Sequence, residues 1–123
     1  MPLSHEDLIF KNDDKLLKAI IDIDLVTMHN LCHKDIVFTN EVGKTFCGVK
    51  NLQMLQNRNL TIDKICILHR DLAMFGATAV ISSMERRSGS YMSSPLHGNY
   101  HMTRIWKFGS SWQLISTTSV SVG

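Results

Sequence analysis

His101 and Glu85 carry the clearest chemistry in this sequence. An imidazole titrates near neutrality and can act as general acid or base. A carboxylate on a neighbouring strand would orient it, provided the two strands pair in register. Such a pair suits proton transfer, or the addition and removal of water, on a small molecule. The plainer alternative makes His101 a hydrogen-bonded strand residue near a rim and Glu85 a solvated acid. His29 and His33 stand four residues apart, a spacing that puts two imidazoles on one helix face and serves some zinc sites. The residues between them are Asn30, Leu31 and Cys32, with no Glu after the first His, so the metalloprotease motif is absent. His33 near a helix C-terminus and His29 on the surface is the structural reading, and no metal or other cofactor is expected. Ser82-Ser83 and Ser93-Ser94 lack the Gly-x-Ser-x-Gly setting of an activated nucleophile.

The elements that must hold these residues follow from pattern. Ser4 caps a first helix, with Asp7 completing a capping box, and Ile9, Leu16, Leu17, Ile20, Ile21 and Ile23 form its apolar stripe. Asn12-Asp13-Asp14 interrupts that stripe and predicts a restart. Asp24 caps a second helix over 25–33. Residues 35–40 are β-branched and aromatic, hence a strand, followed by a turn over 41–44, a return strand over 45–47 and a third helix over 49–57 with Leu52 and Leu55 inward. Four strands follow, over 62–75, 77–87, 100–108 and 112–122. The Ser, Gly and Pro residues of 88–99 predict a loop. Helices early and antiparallel strands late define an α+β class, with a long curved sheet wrapped around the helices.

A chain of 123 residues with 44% hydrophobic content is expected to form a single domain, 1–123, with one ample core. The net charge of +2 and scattered Lys and Arg provide no basic stripe, so no nucleic-acid partner is expected. Cys32, Cys47 and Cys66 are odd in number and form no CxxC pair, which predicts reduced thiols in a cytoplasmic protein. No apolar run approaches the ~20 residues that span a bilayer, and no membrane partner is expected.

In order and spacing, the motifs resemble the cystatin-like superfamily of nuclear transport factor 2, ketosteroid isomerase and the SnoaL-like cyclases, and within it the small uncharacterised bacterial branch. They are Asp24 opening the second helix, the step His33-Lys34-Asp35-Ile36-Val37-Phe38 into a strand, and glycines at 43 and 48. Gly76-Ala77-Thr78-Ala79-Val80 follows, and then Thr103-Arg104-Ile105-Trp106 with Trp112-Gln113-Leu114. The resemblance covers about Leu16 to Val122. It implies a cone-shaped fold of about three N-terminal helices and a curved sheet, an apolar pocket between them, and a homodimer formed through the outer sheet face. Fold alone does not imply function.

Strand alternation assigns the pocket face. Trp112, Leu114, Ser116 and Thr118 share a side of the last strand, His101, Thr103 and Ile105 of its neighbour, Ala79, Ile81, Ser83 and Glu85 of the one before, and Phe38 and Asn40 of the first. The candidate pocket is therefore Phe38, Asn40, Ser83, Thr103, Trp112, Ser116 and Thr118, with His101 and Glu85 as the catalytic pair. A one-residue slip would turn any of these sets outward. Where the resemblance to ketosteroid isomerase implies a carboxylate base, this chain has Asn40, whose amide takes up no proton, and alternation points Glu41 away. Three readings follow: a pocket protein acting on a small apolar molecule, of lyase or isomerase type; a non-catalytic ligand-binding or dimerisation module; or a partner-binding adaptor, which would need an exposed apolar patch beyond the dimer face.

Overall fold

The computed structural model describes residues 3–40, 43–48, 57 and 59–123. Ser4 caps helix α1 (His5–Asp22): its hydroxyl accepts from the Asp7 N–H at 3.1 Å, and the Asp7 carboxylate accepts from the Ser4 N–H at 3.4 Å. This reciprocal box satisfies two N–H groups that a helix start leaves open. The helix runs unbroken through Asn12-Asp13-Asp14, against the expected restart. The reason is spacing: Asp13 lies four residues after Ile9 and three before Leu16, on the buried stripe itself. Asp24 caps α2 (Leu25–Leu31), accepting from the Thr27 N–H at 3.1 Å and from its hydroxyl at 2.6 Å.

Strand β1 (Cys32–Thr39) begins directly after α2, so His33 stands in a strand rather than on the helix that carries His29. β2 (Thr45–Cys47) returns antiparallel to β1. The helix expected over 49–57 lies, apart from Asn57, outside the described residues, as does Glu41. Then come β3 (Leu60–Phe75), β4 (Thr78–Tyr91), β5 (Ser94–Phe108) and β6 (Trp112–Val122). The described strands form one sheet in the order β2-β1-β6-β5-β4-β3, parallel only between β1 and β6.

The segment 88–99 is not a loop. β4 and β5 stay paired from Thr78 and Lys107 out to Tyr91 and Ser94 and turn through Met92-Ser93, with φ of 50° and 70°. Two-residue turns with positive φ normally use Asn or Gly, so this sequence concealed the hairpin. Both helices pack on one face of the sheet, hereafter the inner face. Ile9, Leu16 and Ala19 of α1 and Met28 of α2 meet Ile36, Ile81, Trp106 and Leu114 there. The result is an α+β fold with two described helices on one side of a six-stranded sheet.

Candidate functional site

β4 presents Ala79, Ile81, Ser83 and Glu85 to the inner face, as alternation predicts. On β5 their partners are Trp106, Arg104, Met102 and Tyr100. A bulge at Leu68 in β3 brings Arg70 opposite Ser83 on the same face. Asp13 projects from α1 into the middle of this set and accepts four hydrogen bonds. Its Oδ1 receives Arg104 Nε at 2.7 Å and Trp106 Nε1 at 3.3 Å. Its Oδ2 receives Arg104 Nη2 at 2.9 Å and Arg70 Nη1 at 3.1 Å. Glu85 Oε1 receives Arg87 Nε at 2.9 Å and Nη2 at 2.7 Å, while its Oε2 lies 2.7 Å from Arg104 Nη2. Arg70 also reaches Asp14 at 2.7 Å and lies over the Phe10 ring at 4.8 Å.

The network is buried at its centre and reaches water only at its edges. Asp13 and Glu85 are 0% exposed and Arg104 2%, against 17% for the Arg70 side chain and 64% for that of Asp14. Burial pushes the Glu85 acid up, but Arg87 and Arg104 outweigh it and hold the carboxyl below its ordinary range. Burial likewise works against the Arg104 charge, and Asp13 and Glu85 more than restore it. For Arg87 burial wins over Glu85, lowering its value, yet a guanidinium stays charged across the working pH range. A carboxylate offers about four acceptor sites, so Asp13 has none left for a substrate proton. The arrangement positions charge and holds α1 to the sheet. It does not supply a free base.

The sequence-derived catalytic pair is not brought together. His101 is on the outer face, where its Nε2 bonds the Ser82 hydroxyl at 2.8 Å, while Glu85 faces inward. The physical reason is register: Thr103 pairs with Ser82 and Met102 with Ser83, so on β5 the inward set is Met102, Arg104 and Trp106. Thr103 therefore faces outward. On β6, Trp112 and Leu114 point inward as expected, but the register shifts by one residue between Trp106 and Ile105, so Ser116 and Thr118 face outward. Trp112 belongs to the core and donates its indole N–H to His5 Nδ1 at 3.0 Å. Phe38 packs inward against the core, and Asn40 closes the β1–β2 turn by exchanging hydrogen bonds with Lys44. His33 Nδ1 accepts from the Asp35 N–H at 3.0 Å. Among the described residues no three His, Cys, Asp or Glu side chains group as metal ligands, and no helix is long and apolar enough to cross a membrane.

Sequence reasoning missed Asp13, Arg70, Arg87 and Arg104. One signal was available: an Asp at helical spacing on an apolar stripe demands a buried partner.

No family model and no curated protein matches the sequence. The fold, in contrast, has close structural likenesses. An NTF2-like protein from Cytophaga hutchinsonii superposes with a TM-score of 0.91 at 22% identity, covering 98% of this chain and 100% of the other. The CaMKII hub of S. rosetta gives 0.84 at 20% identity, covering 99% and 100%. An uncharacterised protein with a cystatin-like fold from Caulobacter vibrioides gives 0.80 at 12% identity, covering 96% and 89%. The chain therefore has the NTF2-like, cystatin-like fold that its motif order resembles.

Proposed function

We propose that this chain is a self-associating, non-catalytic binding module, a single domain that forms a homodimer through its outer sheet face. The observation that carries the reading is the character of that face. Between Asn99 and Ile105 on β5, and from Ser116 to Val122 on β6, none of the outward side chains is Asp, Glu, Lys or Arg, in a chain with 20% charged residues. Val80, Met84, Ile105 and Val120 are interleaved there with hydroxyls, Val120 is 52% exposed, and neither α1 nor α2 covers them. A partly apolar sheet face that is uncharged along these β5 and β6 stretches, with Arg86 of β4 at its margin bonded to Asn99, favours contact with another protein surface over water. The likeness to a hub domain supports the same reading. The enzymatic alternative, a lyase or isomerase on a small apolar substrate, would need an available base on the inner face. The inward acids Asp13 and Glu85 are instead occupied by arginines.

Native mass spectrometry with light scattering at micromolar concentration tests this. The expected species is twice 13.9 kDa, and Val120→Asp should return it toward 13.9 kDa without unfolding. A wild-type monomer, or an assembly indifferent to Val120→Asp, would overturn the proposal.

A further inference from the structure

His101 stands in the middle of the outer face. Its cross-strand partner on β4 is Met84 and its partner on β6 is Val120, two of the apolar side chains of that face. The residue is half-buried, and its Nε2 lies 2.8 Å from the Ser82 hydroxyl. A hydroxyl both donates and accepts, so this bond forms in either charge state of the imidazole. In a single chain, a proton added to the ring is met by water and costs the fold little.

A second copy laid on this face takes that water away. An imidazolium there would need a carboxylate, and the strands beside it offer none among the described residues. On β4 the nearest charged side chain is Arg86, one outward position along from Met84, and its sign is that of the imidazolium. On β6 the outward side chains from Ser116 to Val122 carry no charge. On β5 itself, His97 sits opposite Ser88, past the last β5–β6 pair at Asn99 and Val122. One strand further out, on β3, Asp71 lies opposite Ser82 and His69 opposite Met84, and the two are bonded to each other at 2.8 Å. Asp71 is thus engaged, with 69% of its side chain in water. A charge desolvated without a partner is costly, whereas a neutral imidazole beside a hydroxyl is not.

We propose that His101 makes this interface sensitive to pH: two chains associate while its imidazole is neutral and separate when acid charges it. The inference rests on the outer-face dimer proposed above and names what regulates it. The sign follows from linkage. The free chain binds a proton that the dimer excludes, so lowering the pH favours the free chain. With one proton excluded per chain, Kd rises by up to about a hundredfold for each pH unit below the range in which an imidazole titrates.

The test measures the dimer Kd of the full chain by sedimentation equilibrium at fixed ionic strength, at about pH 8 and about pH 5.5, on either side of neutrality. Both values lie above the range in which Glu85 loses its charge, and circular dichroism checks that the chain stays folded. Wild type should weaken by about tenfold or more between the two. His101→Gln should dimerise equally at both, and His101→Lys, which carries a fixed charge, should be monomeric at both. His69→Gln and His97→Gln should respond as wild type does. A wild-type dimer of unchanged Kd, or a response that persists in His101→Gln, would overturn this inference and leave the dimer standing. A wild-type monomer at the higher pH would remove the dimer and the switch together. Where His101→Gln does not pair at all, proton uptake on wild-type dissociation decides, measured by calorimetry in buffers of different ionisation enthalpy: about one proton per chain supports the switch, and none overturns it.

Discussion

Asp13 is the residue on which the inner face depends. It is fully buried, belongs to α1 and satisfies two arginines and an indole that belong to the sheet. Removing one member of a buried ion network leaves the others uncompensated, so Asp13→Ala should cost about 3–5 kcal/mol in denaturant unfolding. A loss under 1 kcal/mol would mean water readily replaces the carboxylate. Glu85 makes a pH-dependent contribution of known sign. Its folded value lies below the ordinary 4.5, so its stabilisation is present above that value and is lost as the pH falls through the folded value. Wild type should therefore lose stability below about pH 4.5 more steeply than Glu85→Gln, in Tm measured against pH. Burial pushes the Cys32 thiol up to about 12, whereas Cys47 and Cys66 are exposed. A thiol reagent at pH 8 should label two cysteines in native protein and the third only on unfolding, as counted by intact mass.

At the scale of elements, Gly89 of β4 leaves no space for a side chain against β3. A Cβ there would sit 1.9 Å from the Thr61 carbonyl oxygen, a backbone atom that cannot swing aside. Gly89→Ala should therefore destabilise by about 3 kcal/mol, with early loss of hydrogen-exchange protection at the β3–β4 end. The elements also show how far pattern reading reaches. Both helix caps were legible because Ser4–Asp7 and Asp24–Thr27 are contacts between near neighbours in sequence. The hairpin over 88–99 was not, because Met92 and Ser93 adopt positive φ without the residues that usually announce it.

Across the whole molecule, the sheet divides an inner face built around buried ion pairs from an outer face that carries no charged side chain over 99–105 and 116–122. The register of β5 decides which side chains go where. A shift of one residue would have set His101 inside and Arg104 outside. The outer face is where Val120→Asp acts.

The α+β class, the two helix starts, most of the strand positions and the inward set of β4 are legible in the order of residues alone. These depend on spacing and on contacts a few residues long. The pairing register, the bulges in β3 and β6, and the convergence of Asp13, Arg70, Arg87 and Arg104 were decided only by the tertiary structure. Residues 57 and 91 positions apart meet through the packing of α1 on the sheet, and no local pattern encodes such a distance.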